Sequence, residues 1–268
     1  MLKAIDISHW QKGIDAGALP ADIVIVKATE GLSFVDKCCD VFYQSAKRAG
    51  KLLGHYHFAR NNDPAAEARF FWENTRNYSR LSVPILDIED SSIPSWLNYA
   101  SAFDAEYHRL SGVHPMIYAS AGALSRFGQG GSLINNNALW VAGYPKPATT
   151  WPASSKVPYS IRPWSIVTGW QFTSSFAHAG VKLDASFFYC DRDGWLKIAG
   201  AKREEETVDE VKIPEGKPAD ELDPVYRLYN TSSGVHLLTA SKAEAVQLIR
   251  LNVGWKIEGI AFWAYQNC

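Results

Sequence analysis

Residues 83–90 read V-P-I-L-D-I-E-D, with the turn-forming S-S-I-P at 91–94. A short, mostly apolar run bounded by turn signals reads as a strand buried on both faces, as in a parallel sheet. Side chains alternate along a strand, so Asp87 and Glu89 are expected on one face, about 6–7 Å apart. Two carboxylates at the mouth of a buried strand are costly to desolvate. They call for a base, a metal or acid–base chemistry, whereas Asp90 reads more simply as a cap for the next helix.

The same signature recurs. Leu2–Ser8, Asp22–Ala28, Leu52–Ala59, Pro115–Ser120, Ala138–Tyr144, Ile166–Thr173 and Lys182–Tyr189 bring the strand candidates to eight. Helices are expected over Val35–Ala49 (closed by Gly50), from Asp63-Pro64 to about Tyr78, and from about Pro94 to Leu110. Beyond the fifth strand the connections become rich in Pro, Ser and Gly and no longer look like crossover helices. Alternating buried strands and helices imply a parallel sheet, and eight strands imply a closed α/β barrel. The competing open doubly wound sheet lacks a glycine-rich fingerprint after its first strand.

In a barrel the C-terminal strand ends converge on one mouth. The polar residues at those ends are Asp6, Lys27 with Glu30, Tyr56 and His57, Asp87 with Glu89, Tyr118, Trp140, Gln171 and Asp184. Acids from the first, fourth and eighth strands, with aromatics between them, point to a carbohydrate-cleaving groove. His55 and His57 have no evident third ligand, so packing or hydrogen bonding is expected of them rather than a metal. His9 and Trp10, just after Asp6, read equally well as groove residues or as structure. Trp140 reads almost equally as barrel packing.

The 10 Trp and 12 Tyr suit a carbohydrate or peptide groove but also fill cores. A formal charge of −1 excludes a strongly basic nucleic-acid binder. Cys38, Cys39, Cys190 and Cys268 show neither metal-site spacing nor a disulfide framework. No apolar run is long enough to span a bilayer, and the N-terminus reads directly as a strand rather than a signal peptide. Residues 201–223 carry 4 basic and 9 acidic residues and read as a charged linker. Residues 224–268 are compact and aromatic, with strand-like V-Y-R-L-Y-N and a helix near Lys242–Leu251, the pattern of a small α+β module.

Eight motifs, D-I-S-H-W-Q, V-K-A-T-E-G, G-H-Y-H-F-A, I-L-D-I-E, I-Y-A-S, L-W-V-A-G-Y, G-W-Q-F-T and K-L-D-A-S-F, occur in one order over about residues 1–198. Together they resemble the glycoside hydrolase family 25 lysozymes, the N-acetylmuramidases of phage endolysins and bacterial autolysins. The resemblance implies an irregular TIM-like (β/α)5β3 barrel at residues 1–200. It also implies hydrolysis of the β-1,4 bond between N-acetylmuramic acid and N-acetylglucosamine in peptidoglycan, with no cofactor and no metal. It assigns the general acid to Glu89 and the other mouth carboxylates to Asp87, Asp6 and Asp184. Tyr56, Tyr118, Trp140 and Gln171 match groove positions, and Lys27 and Glu30, counted with them as substrate-binding residues, read as an ion pair that holds the electrostatics of the mouth. The K-L-D-A-S-F motif departs from the family in lacking a polar Asn after Asp184, and the S-S-F-A-H-A-G stretch before it reads as an atypical loop. A monomer acting at the bacterial wall, extracellular or phage-borne, is the expected setting. The C-terminal stretch resembles a repeat appended to such enzymes, either wall-targeting or a structural appendage. Alternatives on the same residues are a non-catalytic peptidoglycan- or chitin-binding barrel, or a glycosidase of a related amino-sugar polymer.

Overall fold

The computed structural model describes residues 1–201, 223–250 and 254–264. The chain divides into two compact units between Lys202 and Arg203. In the first unit the strands are β1 (Leu2–Ile7), β2 (Ile23–Glu30), β3 (Phe34–Val35), β4 (Leu52–Phe58), β5 (Ser82–Asp87), β6 (Met116–Ser120), β7 (Leu139–Ala142), β8 (Gly169–His178) and β9 (Val181–Phe188). All but the short β3 form a closed ring, because β1 pairs with both β9 and β2. This is the irregular α/β barrel expected from the sequence.

One strand runs the wrong way for the simple version of that expectation. The pairings from β1 round to β8 are parallel, but β9 is antiparallel to both β8 and β1. Asp184 therefore does not stand at the C-terminal end of the eighth barrel strand. It lies in the first half of β9, directly opposite Asp6, and is carried to the mouth because the strand runs back. The cause is a hairpin. Ala179 and Gly180 both take positive φ (47° and 79°), the turn that suits the twist of paired antiparallel strands. The stretch expected to be a loop before this strand is mostly strand, with β8 continuing through two register shifts to His178.

The helices follow the strands early in the chain: α1 (Cys39–Arg48), α2 (Pro64–Thr75) and α3 (Trp96–Ser111), with a four-residue α4 (Leu133–Asn136) and a closing α5 (Arg192–Ile198). Val35, expected in the first helix, instead pairs with Thr29 in the β2–β3 hairpin, and α1 starts four residues later. At α2, Asp63 accepts from the Ala66 amide at 2.7 Å and Pro64 occupies the first turn, as the sequence indicates. Asp90 does not cap α3. Ser95 does, while Asp90 accepts from the Ser92 amide at 2.8 Å and so tightens the turn after β5.

The alternating side chains of each strand divide between two cores. Inside the bore, Ala4, Ile23, Ile25, Leu52, Val83, Ile85 and Met116 pack with Trp140 and Phe188. Between barrel and helices, the intervening residues Ile5, Ile7, Val24, Val26 and Leu86 pack with Phe71 and Phe103. Gly54 and Gly169 face the crowded bore. A Cβ on Gly54 would stand 2.9 Å from Ile25, and one on Gly169 would stand 2.4 Å from the Phe188 ring. The floor is plugged by Trp195 of α5, fully buried, whose indole N–H donates to the Leu53 carbonyl at 3.0 Å and whose ring meets Phe188 edge-on at 4.8 Å.

The second unit contains β10 (Asp223–Asn230), β11 (His236–Thr239), α6 (Lys242–Arg250) and β12 (Trp255–Ala264), with the antiparallel order β11-β10-β12. Tyr226, Leu228 and Ala245 form its small core, with Leu248, Ile249, Ile257 and Ile260 against them. The charged segment read as a linker lies almost wholly in residues 202–222, outside the described residues. Among the described residues, no helix is long and apolar enough to cross a membrane.

Candidate active site

At one end of the bore the inward stripe turns polar. Ala4 gives way to Asp6, Ile25 to Lys27, Gly54 to Tyr56, and Ile85 to Asp87, each two residues along its strand. With Glu89, Tyr118, Trp140, Gln171 and Asp184 they line a cavity of about 230 Å³, joined at its rim by Ser8, Trp10 and Phe58. A second hollow of about 330 Å³, among Lys156, Val157, Tyr159, Ile161, Val167 and Tyr189, holds no carboxylate.

Four acids thus share one small space. Burial pushes the Asp6 carboxyl well above the usual carboxylate range, and the charge of Asp184 adds to that effect. Burial does the same to Asp87, reinforced by the Glu89 charge and opposed by the Lys27 ammonium. Asp184 is raised to about 6, again by burial first and Glu89 second. Glu89 is raised by burial of its carboxyl, yet its residue is the most solvent-exposed of the four. Crowding carboxylates in low dielectric means that they cannot all ionise together near neutral pH. The group most open to an incoming molecule is also one whose carboxyl burial holds above its ordinary range.

The other members hold these acids in place. Gln171 donates from Nε2 to both oxygens of Asp6 (3.0 and 3.2 Å), and its carbonyl accepts from the hydroxyls of Tyr118 at 2.8 Å and Tyr144 at 2.5 Å. The amide is locked, so Asp6 is held at a fixed angle, and the Gln171 hydrogen bonds offset only part of the rise that burial imposes on its carboxyl. Asp87 is different: one of its oxygens, buried, has no hydrogen-bond partner among the described residues. An orphaned buried acceptor beside an open cavity is a place for a ligand's donor.

The sequence candidates are not equally placed. Trp140 lines the cavity but is 2% exposed, donates from Nε1 to Ser186 at 3.0 Å and packs on Tyr118, so it shapes the bore as much as the groove. Glu30 is absent from the lining. It pairs with Lys27 at 2.5 Å and with Arg60 at 2.6 Å, and Arg60 in turn stands 3.6 Å from Asp90. The register shift of β2 between Lys27 and Thr29 lets Lys27 and Glu30 meet. His57 faces away from the cavity, hydrogen-bonded to Thr29 at 2.8 Å and Glu67 at 2.7 Å. Burial lowers its pKa, which fits a neutral ring donating to Glu67 and accepting from the Thr29 hydroxyl. Tyr144 is a site residue that strand reading misses; it stands just beyond β7, where the alternation of Trp140 and Ala142 carried two residues further reaches it.

The first unit matches the family described as Glycosyl hydrolases family 25 over residues 5–181, a span that holds Asp6, Asp87 and Glu89 and ends just short of Asp184. Residues 201–268 match a domain of unknown function, DUF5648. The autolytic lysozyme of Clostridium acetobutylicum is 37% identical over 91 residues, 33% of this chain and 28% of that protein. Lysozyme M1 of Streptomyces globisporus is 28% identical over 204 residues, 68% of this chain and 65% of that protein. This chain therefore spans less than two-thirds of the length of either relative. Among solved structures, the muramidase from Trichobolus zukalii superposes with a TM-score of 0.63 at 28% identity, covering 74% of this chain and 99% of that one.

Proposed function

The chain belongs to glycosyl hydrolases family 25, and from that membership we propose that it cleaves the β-1,4 bond between N-acetylmuramic acid and N-acetylglucosamine in peptidoglycan. One observation carries the reading: four carboxylates with raised pKa values ring a cavity that is open at Glu89. Glycoside hydrolysis needs a carboxylic acid to protonate the leaving oxygen and carboxylates to stabilise positive charge at the sugar carbon. Glu89 serves as the proton donor. Asp6, held by Gln171, and Asp184 face the developing charge, and the unpartnered oxygen of Asp87 accepts from the bound sugar, where an acetamido N–H is a suitable donor. Water then completes hydrolysis, and Glu89 recovers its proton. Tyr56, Tyr118, Trp140 and Gln171 shape the sugar site, and Lys27, backed by Glu30, tempers the field of the acids.

All four acids come from one chain, which supports action as a monomer on glycan strands of the bacterial wall, whether at the cell surface or after release at lysis. The second unit is read as an accessory that holds the enzyme at the wall. The direct test is product analysis: purified peptidoglycan digested with the protein should gain reducing ends at muramic acid. Binding to walls with no new reducing ends would leave a non-catalytic barrel. New ends only on chitin oligomers would move the substrate to another amino-sugar polymer.

A pH dependence follows from the same crowding. With Glu89 raised, activity is expected to fall as pH climbs through its pKa. Asp184→Asn removes the group that the Glu89 charge pushes up and so tests that coupling from the other side. Asp184, near 6 in the fold, ionises more readily in the unfolded chain, so it weakens the fold above pH 6, and that penalty fades as pH falls towards about 4. The Asn variant should therefore melt higher than the parent at pH 7–8 and level with it near pH 4. An unmoved melting profile would remove Asp184 from the cluster.

A further inference from the structure

We infer that Trp10 is the platform of an outer sugar subsite, where a hexosamine of the same glycan strand, beyond the one held in the cavity, stacks its apolar face on the indole. The inference rests on the proposed glycan-cleaving reading and extends it to how the strand is held.

Trp10 stands apart from the other tryptophans. It is 82% exposed, the only exposed tryptophan among the described side chains, whereas Trp96, Trp140, Trp164, Trp170 and Trp195 are buried. Yet it belongs to the rim of the acid-lined cavity. Keeping so large an apolar ring in water opposes burial of apolar surface, unless something covers it in use.

The residue is also held still from both sides. It sits in a short 3-10 turn, His9–Gln11, whose Ser8 cap accepts from the Trp10 amide at 3.4 Å while Gln11 reaches back to the Ser8 amide at 2.9 Å. The buried Asp36 accepts from both the amide and Nδ1 of His9, at 2.9 and 2.7 Å. The His9 ring then packs against Trp10 at 4.9 Å and against Phe34 at 5.5 Å. Phe34, itself part-exposed, lies under the Lys27 ammonium at 5.4 Å, and Lys27 lines the cavity. An aromatic ledge therefore runs from the open surface to the acids on a backbone that needs no reordering to receive a ligand.

Size points to the occupant. At about 230 Å³ the cavity is smaller than the roughly 300–1,000 Å³ of pockets that enclose a drug-sized molecule. It holds part of a glycan, and the sugars on either side must rest on the surface beyond it. A sugar ring presents C–H groups on one face and hydroxyls at its edge, which matches a flat amphipathic indole that leaves the hydroxyls in water. Of the two large apolar rings on that rim, Phe58 is half-buried with Lys27 and Arg60 over its face, which leaves Trp10 as the open one.

The test is steady-state cleavage of purified glycan strands, stripped of peptide and fractionated by length. For Trp10→Ala, KM on long strands should rise about tenfold, the loss expected from uncovering one stacked aromatic face. The loss should fall on KM more than on turnover and should shrink as the strands shorten. Trp10→Phe should recover most of the long-strand KM, and raising the salt concentration should leave the difference in place, since no charge is involved. Equal KM for parent and variant at every length, or a loss of turnover that ignores length, would overturn the subsite. Should the parent itself fail to cut muramic acid-containing strands, the proposed function falls first. Trp10→Gln, retaining a comparable reach without a ring, checks that a loss seen with Ala comes from the missing aromatic face: a Gln variant that binds long strands as the parent does also overturns the subsite.

Discussion

Glu89→Gln is expected to lower the rate of reducing-end release by about 10³-fold, within the range that a positioned general acid contributes. The amide keeps the shape of the side chain and cannot deliver a proton to the leaving oxygen. It also takes one ionisable group out of a crowded set of four acids, so the thermal midpoint at neutral pH should hold steady or rise. Rate and midpoint measured on the same preparation separate chemistry from folding. A variant retaining more than about a tenth of parental activity would transfer the donor role to another mouth carboxyl, with Asp184, near 6, next in line. The affinity for glycan should survive, which makes this variant suitable for complexes with intact strands.

Trp195→Ala is expected to cost about 3–5 kcal/mol, the usual range for emptying a buried Trp site. Trp195 is fully buried at the floor, holds the Leu53 carbonyl and abuts Phe188. For a unit of this size that loss corresponds to a fall in midpoint of about 6–20 °C. Urea titration followed by tryptophan fluorescence gives the free energy directly, and a change below about 1 kcal/mol would mean that the floor closes without this ring. The mouth lies at the opposite end of the bore, so residual folded protein should keep its KM.

How far the sequence foretells this molecule depends on whether a feature is local. V-P-I-L-D-I-E-D announces a two-sided strand with an acid at its end because burial and alternation are written residue by residue. Asp63-Pro64 announces a helix start for the same reason. The direction of β9 is not local, since F-F-Y reads alike in either sense. The cue was the Ala179-Gly180 pair, whose meaning depends on two strands already being side by side. Asp184 is a candidate from the sequence, and what could not be read was that it faces Asp6 from an antiparallel neighbour. Glu30 illustrates the other limit: its pairing with Lys27 is expected from the sequence, but that it stands off the cavity goes with a register shift in β2, and such shifts follow from packing rather than composition. Gln171, read as a groove residue, does line the cavity, but its hold on Asp6 is not legible, because hydrogen-bond partners 165 positions apart leave no trace in either segment.

The seam between β1 and β9 has a consequence for the order of events during synthesis. The two acids that face each other across it come from the first and last strands of the barrel. A growing or prematurely ended chain that lacks β9 has Asp6, Asp87 and Glu89 but neither the ring closure nor the fourth acid. With all four acids assigned to the proposed reaction, full activity is expected only of chains in which β9 has closed the ring.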